Sequence, residues 1–342
     1  MRAGYFEAVG IAEFRDNMPE PQIERPDDVK IRIRCCGICG SEIHAFHGKH
    51  PFRIPPIVSG HEVAGDVVEV GTGVTDFAPG DRVVVEPHYG CGECWYCRHG
   101  LYNICPDKKV LGSGGWSGGL GEYIVTPEKT VVRLAGSLSY EAGALIEPVA
   151  NGMYAVRNSG ITLRSTIAII GAGPIGMGDL LCAKLYNPRL IVMADISDFN
   201  LEKAREMGCT HTVNSRKEDL RAKIMELTGG EGVDMTFLAF GDEPTIRQAA
   251  EITRRGGQLI QHALMDDGIG FPYMLHQQHE LDFKAYNMYQ HEDFELICDA
   301  IADARMDLSH FVTQRYPIEK FKEAIDMADK RPEPVLKVMM EF

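Results

Sequence analysis

The chain has 342 residues, with 35 Lys plus Arg against 49 Asp plus Glu and a net charge of −14. That length predicts two domains with sizeable cores, and the acidity argues against a nucleic-acid or anionic-membrane surface. No apolar run approaches the roughly 20 residues that cross a bilayer, and the opening MRAGYFEAVGIAEF lacks signal-peptide architecture, so the expectation is a cytoplasmic protein that touches neither membrane nor nucleic acid.

Val29 to Arg34 alternates strictly and predicts a half-buried strand with an outward row of Lys and Arg. Cys35 and Cys36 read as buried spectators, because a free Cys behaves as a small hydrophobe. Cys39 differs by its company. Cys39-Gly40-Ser41-Glu42-Ile43-His44 and Gly60-His61-Glu62 bring a thiolate, an imidazole and a carboxylate into one short span. Those groups can share one zinc ion, and a catalytic zinc keeps three protein ligands and one open position. A hydroxyl, Ser41, and a second imidazole, His44, stand beside the thiolate. His47 and His50 lie in a loop where surface histidines are the default, and which could border the substrate pocket. Val63 to Val85 is Val-rich with Gly and Pro turns, which predicts a small all-β unit, closed or partly closed into a barrel.

Cys91, Cys94, Cys97 and Cys105 follow at C-x2-C-x2-C-x7-C spacing. Four close thiolates match a closed structural zinc site. A ferredoxin-type cluster shares the Pro after its last Cys but places that Cys sooner, and disulfides suit a secreted scaffold better. The Gly-rich stretch 112–121 resembles a phosphate cradle but lacks the Lys-Ser/Thr that follows one, so it reads as a flexible connection. Ser139 to Val156 predicts a helix capped by Ser139 and interrupted at Glu147-Pro148. Glu147 is open to two readings: a packed, hydrogen-bonded carboxylate, or one that faces the zinc.

The texture then changes. Ser165 to Ile170 is an apolar strand, Gly171-Ala172-Gly173-Pro174-Ile175-Gly176 opens a helix, and Leu190 to Ala194 is a second strand closed by Asp195. Strand, GxGxxG, helix, strand and a late acid form a dinucleotide fingerprint. The glycines allow the turn, the approach of pyrophosphate and close helix packing, while the helix N-terminus attracts phosphate. Asp195 favours NAD over NADP, because it bonds the ribose 2′-hydroxyl and repels a 2′-phosphate. Helices and strands alternate on to His262, the rhythm of a doubly wound parallel sheet. Residues 268–292 break that rhythm. His262, His276, His279 and His291 match no zinc spacing and read as loop or partly buried residues. A helix over 317–330 and a last strand near Val335 that rejoins the first domain complete the pattern.

With these motifs in hand, the chain resembles the zinc-containing medium-chain dehydrogenases, on the branch of polyol (sorbitol/iditol-type) and threonine dehydrogenases. The resemblance covers essentially the whole chain. It implies an α/β protein: a GroES-like β-rich catalytic domain over 1–153, completed by 288–342, and a Rossmann doubly wound domain over 154–287. It implies two zinc ions per chain and NAD. Cys39, His61 and Glu62 match the catalytic zinc ligands, Glu147 matches the Glu that ligates the zinc or holds its water, and Ser41 and His44 match the proton relay. Cys91, Cys94, Cys97 and Cys105 match the structural zinc ligands. The implied activity is oxidation of a secondary alcohol to a ketone by a homo-tetramer or homo-dimer, with amino-alcohol oxidation of the threonine dehydrogenase kind as the alternative. Three residues depart from the pattern: Glu42 replaces Asp, Asn200 stands where a basic residue flanks the adenosine ribose, and Met288 stands where sorbitol-type enzymes carry Arg. A zinc-free quinone or enoyl reductase would lack the Cys39, His61 and Glu62 set. A non-enzymatic zinc-binding interaction protein would hold one zinc rather than two.

Overall fold

The structure, a computed structural model, describes residues 1–265 and 268–342. Contacts divide the chain into two units: Met1–Glu147 with Gln290–Ala304 and Phe311–Phe342, and Pro148–Tyr289 with Arg305–His310. The division falls at Glu147, within six residues of the expected boundary. Arg305–His310 lies in the second unit rather than the first, because His310 Nδ1 reaches Glu206 Oε2 at 3.1 Å.

The first unit is built on a seven-stranded sheet. Its order is Val312–Pro317, Lys337–Glu341, Asp28–Ile38, Glu62–Val70, Arg82–Val85 and Val131–Arg133, with Tyr123–Pro127 also paired to Asp28–Ile38. The C-terminal strand Lys337–Glu341 rejoins the N-terminal part, antiparallel to Asp28–Ile38. Val29, Ile31, Ile33, Val63, Val67, Val83, Val85 and Ile124 fill the core with Phe6 and Phe321, whose rings meet edge to face at 5.3 Å. The expected outward row of cations holds in part: Arg32 and Arg34 are half-buried, whereas Lys30 is buried and pairs with Glu20 at 2.5 Å.

The second unit holds a six-stranded, all-parallel sheet. Its order is His211–Asn214, Leu190–Asp195, Thr166–Ile170, Val233–Leu238, Thr253–Gln261 and Asp282–Ala285. Numbered within the unit this is the 3-2-1-4-5-6 arrangement, which places the ligand crevice at the carboxyl ends where the order reverses. The sixth strand was hidden in the sequence, since Asp282–Ala285 is a short, largely exposed edge with no apolar run.

The helix expected over 139–156 is two helices, Tyr140–Ala144 and Ile146–Ser159. The break falls at Leu145, not at Glu147-Pro148. Pro148 sits in the first turn of the second helix, where its missing N–H has no intrahelical partner to lose. Ser139 does cap the first helix, its Oγ accepting from the Ala142 amide at 3.1 Å.

Candidate functional site

Strand pairing assembles the metal-side groups. Asp28–Ile38 and Glu62–Val70 run antiparallel with Gly37 opposite Glu62. Cys39 follows the first strand and His61 precedes the second, so the register makes them neighbours. Cys39 then N-caps the helix Gly40–Phe46. Gly60 is needed before His61: its φ is +97°, and a Cβ there would lie 2.7 Å from the Leu120 amide.

The donors form two groups that share His61. Cys39, Glu42 and His61 bring ligand atoms within 4.8 Å of one another, and so do His61, Glu62 and Glu147. All but Cys39 are buried. Glu42 was noted in the sequence only as a departure, yet it binds the most partners. Its Oε1 accepts from Ser59 Oγ at 2.8 Å and His61 Nδ1 at 3.0 Å. Its Oε2 accepts from the Cys39 amide at 3.1 Å and Ser41 Oγ at 3.4 Å. His61 Nδ1 is thereby occupied, which orients the ring and leaves Nε2 as the nitrogen that could take a metal.

Glu62 has a partner that sequence reasoning missed. Lys337 Nζ donates to both of its carboxylate oxygens, at 2.6 and 2.8 Å, and to the Ile38 carbonyl at 3.3 Å. Gly37 leaves room for this, because a Cβ there would lie 1.9 Å from Glu62 Oε2. The signal in the sequence was a single Lys in the apolar run Val335-Leu-Lys-Val-Met-Met. Ser41 is half-buried and His44 is exposed on the same short helix. Cys35 and Cys36 are buried; burial pushes the Cys35 thiol up to about 12, so it is inert as a nucleophile or ligand.

Cys91, Cys94, Cys97 and Cys105 also bring their sulfurs within 4.8 Å of one another. Cys91 to Cys97 is 3.9 Å and Cys94 to Cys105 is 3.7 Å. Four ligands at about 2.3 Å from a tetrahedral zinc are about 3.8 Å apart, whereas a disulfide needs about 2.05 Å. The amides of Cys91, Cys94 and Cys97 each donate to a sulfur of the set. The residues therefore fit a closed zinc site. Among the described residues, His262, His276, His279 and His291 join no such donor group. His262 Nε2 instead meets buried Asp179 at 2.9 Å, and His291 Nδ1 meets Glu86 at 3.1 Å.

In the second unit, Gly171 has φ +101° and Gly173 caps the helix Pro174–Leu185, with Pro174 in its first turn. A Cβ on Gly176 would lie 1.8 Å from the Gly171 carbonyl oxygen, whereas one on Gly173 would meet nothing. The turn thus closes on itself at Gly176 and stays open at Gly173, and Ile175 lies between them. Asp195 ends the second strand of the unit. Its Oδ2 accepts from the Ala172 amide at 2.6 Å and its Oδ1 from the Ser197 amide at 2.8 Å. The fingerprint turn is thus fixed to the acid that follows it.

Residues 25–136 match the alcohol dehydrogenase GroES-like domain, and residues 174–303 match the zinc-binding dehydrogenase domain. The chain is 34% identical over 335 residues to sorbitol dehydrogenase of Bacillus subtilis, covering 95% of this chain and 93% of that one. It is 34% identical over 319 residues to D-arabitol-phosphate dehydrogenase of Enterococcus avium, covering 92% and 90%. A solved oxidoreductase/dehydrogenase of unknown specificity from Escherichia coli matches with a TM-score of 0.94 at 29% identity, over 99% of this chain and 98% of that one. The chain therefore belongs to the zinc-containing medium-chain dehydrogenases, and within them to the polyol branch. No described helix is long and apolar enough to cross a membrane.

Proposed function

We propose that the protein oxidises a secondary alcohol (a polyol, sugar, cyclitol or related compound) to a ketone, with zinc and NAD. The observation that carries this reading is the pair of donor groups joined at His61. Sulfur, nitrogen and oxygen ligands suit zinc. Cys39, His61 and Glu62 would hold the ion, with Glu147 as a further ligand or the holder of its water; Lys337 meets both oxygens of Glu62. Bound zinc supplies Lewis-acid polarisation of the alcohol oxygen, and bound NAD accepts the hydride.

The chain's own groups do the rest. Glu42 holds His61 in one tautomer and orientation. Ser41 Oγ takes the hydroxyl proton, and exposed His44, one helical turn further on, delivers it to solvent. Gly171, Gly173, Pro174, Ile175 and Gly176 form the turn that receives the pyrophosphate. Asp195 takes the adenosine ribose and disfavours a 2′-phosphate, so NAD is the cofactor rather than NADP. Cys91, Cys94, Cys97 and Cys105 hold a second, structural zinc. The protein works in the cytoplasm as a homo-tetramer or homo-dimer.

The test joins metal analysis to turnover. The purified protein should carry about two zinc per chain, and NADH fluorescence should rise with members of a panel of polyols, sugars and cyclitols. Cys39→Ala should lose one zinc and all activity. Full activity in that variant would refute the assignment.

A further inference from the structure

Arg53 is a buried cation that the proposed reaction does not use. It interrupts the apolar sequence Phe52-Arg53-Ile54, and its side chain is only 4% exposed. Taking a guanidinium out of water is expensive unless its geometry is well satisfied. Its Nη1 donates to the carbonyls of Leu111 at 2.7 Å and Gly112 at 3.0 Å, and to Ser59 Oγ at 3.4 Å. The same nitrogen lies 3.8 Å from Glu42 Oε1, the oxygen that accepts from His61 Nδ1. The fit is close on the loop side. Gly112 has φ +72°, and a Cβ there would lie 2.6 Å from Nη1. The backbone of Arg53 is held too, its amide donating to His50 Nδ1 at 3.1 Å.

A single nitrogen of this guanidinium, Nη1, therefore both grips the start of the Gly-rich stretch 112–121 and faces the carboxylate that orients His61, while Nε is buried without a hydrogen-bond partner among the described residues. We propose that Arg53 is a positioning residue that couples the Gly-rich loop to the metal centre through Glu42. This rests on the reading of His61 as a zinc ligand. A shift of the Leu111 and Gly112 carbonyls moves the guanidinium. The guanidinium moves Glu42, and Glu42 re-aims the His61 ring. Metal retention and the setting of the Gly-rich loop then change together. A merely structural Arg would lower thermal stability without singling out either property.

The test compares Arg53→Met with Arg53→Lys, reading zinc release to a chromogenic chelator alongside kcat and KM for an alcohol the enzyme turns over. Removing a partner of this kind typically costs 10–100-fold in metal affinity. Arg53→Met should therefore release zinc from the Cys39 and His61 site about 10–100-fold faster, with the four-Cys zinc held as in wild type. Its alcohol KM should rise as well. Arg53→Lys keeps a charge beside Glu42 but replaces the rigid, planar guanidinium with a compact ammonium on a flexible stem, so the Leu111 and Gly112 carbonyls are no longer held in one fixed position. It should recover zinc retention while KM stays raised, and it serves alone if the Met variant does not fold. Wild-type zinc release in Arg53→Met, or equal loss from both zinc sites, would overturn the proposal. So would a wild-type KM in Arg53→Lys. If wild-type protein holds only the four-Cys zinc, the proposed function itself has failed.

Discussion

Lys337→Met isolates the charge balance of the metal side. Glu62 and Lys337 are 0% and 2% exposed, with contacts of 2.6 and 2.8 Å. Deleting the ammonium leaves a buried carboxylate without its counter-ion, which costs about 3–5 kcal/mol. For a unit of this size that corresponds to a fall in Tm of about 6–20 °C. Adding Glu62→Gln removes the stranded charge, so Lys337→Met/Glu62→Gln should recover most of the loss. Thermal and urea unfolding of the two variants beside wild type measure both quantities. The reasoning fails if Lys337→Met costs under about 1 kcal/mol, the range of an exposed pair. It fails equally if the double variant is no more stable than the single one.

Gly176→Ala should abolish NAD binding while leaving the zinc content intact, because its Cβ would meet the Gly171 carbonyl at 1.8 Å; cofactor titration by fluorescence checks it, and wild-type affinity would contradict it. His291 carries a pH prediction. Its hydrogen bond to Glu86 raises its pKa against burial, and burial raises that of Glu86. A raised imidazole pKa stabilises the fold below the unfolded value of about 6.5 and loses that contribution as pH rises through the folded value. The Tm gap between wild type and His291→Gln should thus be widest near pH 6 and narrow toward pH 9; a gap constant with pH would exclude this account.

The parallel-sheet unit was legible because its signals are local. Ile167 to Ile170 and Leu190 to Ala194 are continuous apolar runs, as strands covered on both faces must be, and the glycines of the fingerprint lie within six residues. Asp282–Ala285 escaped because an exposed edge strand buries too little to impose a pattern. The four-Cys lobe was readable for the same reason of locality. The donor types that meet around His61 were readable from Cys39, His61 and Glu62. Their supports were not, because Lys337 reaches Glu62 across 275 positions and spacing rules do not extend that far.

Those supports nonetheless share a feature visible in the sequence. Lys337 stands alone in Val335–Met340, Arg53 alone between Phe52 and Ile54, and Glu42 one residue before Ile43 on a short helix. All three side chains are buried, Arg53 even though Phe52 and Ile54 on either side of it are exposed. A buried charge without a partner costs several kcal/mol, so each position implies an opposite charge or a ring of donors elsewhere in the fold. Glu62 has Lys337, while Glu42 has Arg53, Ser59 and His61. Both carboxylates end beside the same imidazole. His61 is where these compensated charges converge, and a divalent cation there would meet carboxylates already held in place by the fold.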